Sequence, residues 1–218
     1  MTGRPTPADA PTEGGSAPGY VAVELPGVGA IAESDWTRLF PDDAEGWAYY
    51  RAVEGEPPEG LRFEAMVVER YGHVVAAAPV FHAIYRLDTP LQGRLRPLGD
   101  WLYRVFPGVV AHPVIGFGST MAERCHLGVD PALSPTERRD AVVALCAGLE
   151  AKARREGVRI LAMKDLAETE PADIHATIAG AGFSRIAGLP VAVLDLPFAD
   201  VEGYIRSLSA NMRSALRR

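Results

Sequence analysis

The chain has 218 residues, 48% of them hydrophobic, and 22 Lys and Arg against 28 Asp and Glu give it a formal charge of −6. That is enough apolar material for a core of ordinary size, and the acidic balance argues against a nucleic-acid surface spread over the whole molecule. No window approaches the ~20 apolar residues of a membrane span and no apolar stretch follows a basic start. The two cysteines, Cys125 and Cys146, lack metal-ligand spacing, so a reduced, cytoplasmic protein is expected.

Residues 1–19 are Pro, Gly, Ala, Thr and acidic residues with almost nothing to bury, and read as a disordered tail. Tyr20–Leu25 alternates as a first strand. A helix is expected from Ser34 or Asp35, with Trp36, Leu39 and Phe40 on one side, and a second should carry Trp47, Tyr50, Arg51 and Val53. Phe63–Arg70 and His73–Phe81, two strand-forming runs around Tyr71-Gly72, predict an antiparallel hairpin. The stretch from Leu87 to Thr120 is rich in Gly, Pro and aromatics and reads as a substrate-side insertion with a short helix near Asp100–Phe106.

The next segment has the sharpest signals. Cys125–Val129 is expected to be a strand ending at the Asp130-Pro131 turn. Ser134-Pro135-Thr136-Glu137 then combines an N-cap hydroxyl, a proline at the first helical position and the glutamate of a capping box. Val142, Leu145, Cys146, Leu149 and Ala153 fall on one stripe, leaving Arg138, Arg139, Glu150, Lys152, Arg154 and Arg155 for the wet faces. Gly157 supplies a left-handed stop before a strand over Val158–Met163. A helix from Pro171 to Ala179, a strand over Pro190–Leu196 and one amphipathic helix after Asp200, with Val201, Tyr204, Ile205, Leu208 and Met212 on its stripe, complete the reading. The expected class is α/β, a mixed central sheet flanked by helices. Residues 20–198 form the domain and residues 199–218 a linker or docking helix.

This order of elements resembles the GNAT acyltransferase fold. Ala77-Ala78-Pro79-Val80-Phe81, the Glu137-to-Leu166 helix and strand, and Leu194–Phe198 followed by Tyr204–Ser209 are similar to the amino-terminal half of FemAB-like, peptidoglycan-biosynthesis-related proteins, which hold two GNAT-like halves in one polypeptide. The resemblance implies an N-acyl- or aminoacyltransferase that passes an acyl group from a thioester or ester to a small-molecule or peptide amine. Acyl-CoA is the implied cofactor, and the implied partner is a second half or another copy of the chain.

A GNAT half that holds coenzyme A usually has a glycine-containing loop whose bare N–H groups, with a helix N-terminus, bind pyrophosphate. Here Asp130–Arg139 stands in that place with no glycine, two prolines and carboxylates at Asp130 and Glu137, so poor pyrophosphate binding is expected. The residues the resemblance places there are Val129, Ser134, Arg138 and Arg139. Such a half acts instead as scaffold or binding module in two-halved relatives. Glu123 and His126, beside the strand where GNAT enzymes often place a general base, are the catalytic candidates; in a strand their spacing of three puts them on opposite faces. Lys164 and Asp165, at the carboxyl end of the following strand, are the substrate-binding candidates. The five histidines are scattered without HxxxH-type spacing, so no metal site is expected, and no Gly-x-Ser-x-Gly elbow is present.

Overall fold

The computed structural model describes residues 19–41, 43–86, 96–187 and 195–216. The tail expected over residues 1–19 lies outside these except for Gly19, as does the segment 190–194 of the last expected strand. The chain divides into two compact units, one through Arg185 and one from Ile186.

The first unit is a mixed α/β structure. Strands β1 (Tyr20–Leu25), β2 (Arg62–Arg70), β3 (His73–Arg86), β4 (Ala111–Phe117) and β6 (Ile160–Met163) lie in that order, and the short β5 (Gly128–Val129) pairs with β3. Neighbours from β1 to β4 are antiparallel and β4–β6 is parallel. The hairpin between β2 and β3 turns at Tyr71 and Gly72, both at positive φ, as a tight turn between right-twisted strands requires.

β3 organises the sheet because both β4 and β5 use its second edge. Val80–Arg86 pairs with β4, whereas Ala76 and Ala77 pair with β5. Pro79 falls between the two pairings, where its missing N–H leaves no ladder bond unmade, and its carbonyl accepts from Gly118 N at 3.0 Å. The chain leaves the edge at Gly118 and returns at Gly128. Cys125–Leu127, expected as strand, is therefore loop, with Cys125 N donating to Asp165 O. Conversely, the expected insertion contains β4, a strand paired on both sides. Its Pro113 lies one residue before the β6 pairing begins at Val114.

Helix α5 (Pro135–Glu156) covers one face of the sheet with α6 (Ala172–Gly180) packed beside it. Its capping box forms as expected, and Gly157 ends it at φ 69°. Val142, Leu145 and Leu149 are wholly buried against Met66, Val68, Ala78, Val80 and Ile115. Burying each such side chain contributes about 1.5–3 kcal/mol. Gly148 permits this seating: a Cβ there would lie 2.6 Å from Ala22 Cβ and 2.7 Å from Met66 Sδ. Lys152, expected on a wet face, is buried with the stripe. On the opposite face α1 (Glu33–Leu39) and α2 (Trp47–Gly55) bury Trp36, Leu39 and Tyr50 against Ala65, Val67 and Ala77. The helix expected near Asp100–Phe106 is α3 (Arg96–Val105), followed by α4 (Pro107–Val110).

In the second unit the single terminal helix expected from the sequence is two short ones, α7 (Val201–Ser207) and α8 (Ala210–Leu216), with no buried residue. Leu208 is extended, and the Ser209 hydroxyl accepts from Met212 N at 3.4 Å, starting a new helix where one stripe was expected to continue. Asp195 and Leu196 have no regular structure.

Candidate functional site

The carboxyl ends of the parallel pair β4 and β6 face the excursion 118–127, and this is where sequence-derived candidates converge. Lys164 and Asp165 follow β6 directly. They pair with each other, Lys164 Nζ also lies 3.4 Å from Ala122 O, and Asp165 turns the chain at φ 56°. Glu123 is exposed and its backbone N–H donates to the Glu45 carboxylate at 3.0 Å. The Cys125 thiol, fully enclosed, is pushed by burial up to about 12 and is no nucleophile at neutral pH.

His126 lies deeper, 2% exposed. Its Nδ1 is 2.7 Å from Tyr50 Oη, and its Nε2 lies 2.8 Å from Asp43 Oδ2, outside the angular range of a hydrogen bond. Asp43 also accepts from Arg124 at 2.5 Å. Burial pushes the Asp43 carboxyl up, but the Arg124 hydrogen bond, the His126 ring and the Glu45 backbone outweigh it and hold the carboxyl below its ordinary value. Burial raises the Tyr50 hydroxyl, which stays protonated. Tyr50, His126 and Asp43 thus stand in a row, joined by one hydrogen bond at Nδ1 and one close contact at Nε2. The arrangement resembles a proton relay, yet Tyr50 is 1% exposed and the Asp43 side chain 7%, so no member meets a substrate atom in this conformation. It ties the excursion to α2 and to the 43–45 segment. Asp43, Glu45 and Tyr50 had no motif to announce them, because loop and helix residues some 80 positions upstream of the excursion meet it only through the fold.

The residues that the resemblance assigns to a pyrophosphate loop, Val129, Ser134, Arg138 and Arg139, lie at the end of β5 and the start of α5. Val129 pairs with Ala76. The Ser134 amide, which an anion would use, donates to Glu137 Oε2 at 2.9 Å, and Ser134 Oγ lies 2.7 Å from the same oxygen. Glu137 Oε1 accepts from Arg70 at 2.6 Å. Hydrogen bonds from the Ser134 side chain and backbone, then from Arg70, lower the Glu137 carboxyl to about 2. Arg138 is turned to Asp173 of α6 at 2.9 Å, and Asp130 is paired with Arg38. Arg139 is exposed with no described residue paired to it.

A third constellation lies under the far end of α5, and nothing in the sequence spacing pointed to it. Glu24, Glu64 and His82 stand on adjacent strands and face Lys152, whose ammonium is 2.6 Å from Glu64, 2.7 Å from Glu156 and 3.2 Å from Glu24. Burial and the nearby Arg62 guanidinium lower the His82 pKa against the pull of Glu64, so the ring is neutral: Nε2 donates to Glu64 at 3.1 Å and Nδ1 accepts from Arg62 at 2.8 Å. Donor atoms of Glu64, His82 and Glu156 lie within 4.8 Å of one another, close enough for a metal ion. Lys152 already holds the cation's place, and Arg62 and Arg155 balance the remaining carboxylates, so a divalent ion would have to displace an ammonium at hydrogen-bond distance. Beside it, Leu61, Arg62, His82, Ile84, Pro113 and Val158 line an open groove of about 260 Å³.

No helix among the described residues is long and apolar enough to cross a membrane. No protein-family model, curated protein or solved structure matches the chain.

Proposed function

We propose that this chain is a GNAT-like half-domain of FemAB type that acts as a non-catalytic scaffold, offering fold and acceptor-side surface to an acyl- or aminoacyltransferase half that carries the cofactor. The observation behind this reading is the amino end of α5, where the Ser134 amide is bonded to Glu137 and the carboxylate is held by Arg70. An incoming pyrophosphate would meet a negative charge at the place where the fold would otherwise attract it. The sealed His126 cluster supports the same division, because a general base must reach the acceptor amine.

Calorimetric titration with acetyl-CoA and with coenzyme A tests this. The scaffold reading predicts no saturable heat with either ligand up to millimolar concentration. Micromolar binding would overturn it in favour of an acyltransferase that works alone.

A further inference from the structure

We propose that the contact between α2 and the 3-10 turn Val28–Ala30 is an acid-sensitive latch that sets how firmly the excursion 118–127 is held. Glu54, in the last turn of α2, reaches the turn with both carboxylate oxygens: Val28 N donates to Oε1 at 2.6 Å and Gly29 N to Oε2 at 3.2 Å. Gly27 permits the approach, since a Cβ there would lie 2.6 Å from Glu54 Oε2. Trp47, Tyr50, Arg51 and Glu54 stand at i, i+3, i+4 and i+7 on one face of the helix. At the other end of that face the Trp47 indole donates to Val28 O at 3.1 Å and to Ile31 O at 2.9 Å.

Apolar packing does little to hold α2, because Tyr50 is its one buried residue. Its two tyrosines grip the excursion: Tyr49 Oη donates to Met121 O at 2.5 Å, and Tyr50 Oη is 2.7 Å from His126 Nδ1. A helix with so few apolar contacts opens locally when its polar anchors weaken. Glu54 is an anchor that a proton weakens, since protonation removes the charge that strengthens both bonds and turns one acceptor oxygen into a donor. The carboxyl is half-buried at the negative end of the α2 dipole. Burial raises its pKa above 4.5, and the Val28 and Gly29 amides and Arg51 oppose the shift without cancelling it. Arg51, 4.7 Å over the Trp47 ring, is the charge that acts on Glu54 among the described residues. Of the elements packed on α2, the Val28–Ala30 turn has no ionisable side chain, and Arg38 of α1 is paired with Asp35 and Asp130. In β2, Arg62 and Glu64 belong to the Lys152 cluster and Arg70 is paired with Glu137. Asp43, Glu64, Glu137 and Glu156 have lowered values, so mild acid discharges Glu54 while they keep their charge. Because the folded value lies above the unfolded one, the folded protein takes up this proton first, and the latch opens without unfolding.

The test is a nuclear magnetic resonance titration of the full chain from neutral to mildly acid pH, following the Glu54 carboxyl and the Val28 and Gly29 amides, with amide hydrogen exchange of the excursion at both ends. The carboxyl and both amides should follow one curve with its midpoint above 4.5. Exchange in the excursion, corrected for the intrinsic effect of pH, should rise about fivefold along that curve, while the paired core residues Val67 and Ala77 stay protected. Glu54→Gln should show the faster exchange already at neutral pH, and Glu56→Gln, which removes an exposed carboxylate, should behave as wild type. Histidine protonation acts alike in wild type and Glu54→Gln, so the difference between them isolates Glu54. A Glu54 carboxyl titrating at or below 4.5, or amides that do not follow it, would overturn the proposal. So would equal excursion exchange in wild type and Glu54→Gln, which would confine the event to the Val28–Ala30 turn. Loss of protection at Val67 and Ala77 in step with the excursion would overturn it too, as the mark of global unfolding.

Discussion

At the amino end of α5 a carboxylate, Glu137, fills the place of an incoming anion near the surface; at the carboxyl end an ammonium, Lys152, fills the place of an incoming cation beneath the sheet. The two differ in what surrounds them. Glu137 is held by one serine and one arginine at a helix terminus, whereas Lys152 is buried among three carboxylates and a neutral histidine. Both constellations look like ligand sites when their residues are named, and both are closed by the protein's own counter-charge. A cluster of chemically able side chains marks a site only if one of its positions is left open.

The comparison can be broken most severely at the buried end. Lys152→Met removes the ammonium and leaves Glu24, Glu64 and Glu156 facing one another; a loss of about 2–3 kcal/mol is expected, below the figure for a fully buried pair because the carboxylates are partly exposed. Denaturant unfolding of variant and wild type checks it, and an unchanged midpoint would show that the cluster is solvated.

Acid titration sharpens the contrast next. Glu64 and Glu156 have lowered folded pKa values: burial opposes the shift, and hydrogen bonds to Lys152 outweigh it. Their contribution is present above the ordinary value of 4.5 and is lost as pH falls through the lowered folded values. His82, held neutral, adds a loss that begins as pH falls below 6.5, where the unfolded ring takes up a proton more readily than the folded one. Lys152 is raised, burial again opposing the shift and its three glutamates prevailing, so its contribution persists until pH rises past 10.5. Stability against pH should therefore decline on the acid side in wild type, and the gap to Lys152→Met should narrow as the carboxylates are protonated.

Smaller changes probe the seat and the cap between which the charges sit. Gly148→Ala forces a Cβ against Ala22 and Met66 and should cost about 1–2 kcal/mol, in spite of alanine's better helix propensity. A gain in thermal stability would mean that α5 stands farther from the sheet. Ser134→Ala removes the N-cap and should cost about 1 kcal/mol, read from the unfolding midpoint.

The limits of α5 were legible because local chemistry sets them: Ser134, Pro135, Glu137 and Gly157 each act within a few residues. β1 and the hairpin were legible from alternation and from Tyr71-Gly72. β4 was not, since Pro113, Gly116 and Gly118 break the pattern for reasons found only in three dimensions. Gly116, for example, lies where a Cβ would be 2.6 Å from Ala162 O and 2.7 Å from the Phe81 ring. Lys152 was assigned to a wet face because helical spacing cannot see the carboxylates of β1 and β2 that receive it. His126 was singled out from the sequence, but its partners Tyr50 and Asp43 are a fold-level coincidence of an excursion and a distant helix. The terminal stripe failed because Ser209 restarts the helix out of phase.

The most direct measurement is a nuclear magnetic resonance titration that follows the Ser134 and Glu137 amides and the Glu137 side-chain carboxyl. A carboxyl titrating near 2, with both amides unmoved by millimolar coenzyme A, is the predicted result. A carboxyl titrating at its ordinary value, with the two amides shifting saturably as coenzyme A is added, would show that the amino end of α5 is open to pyrophosphate and would contradict the account.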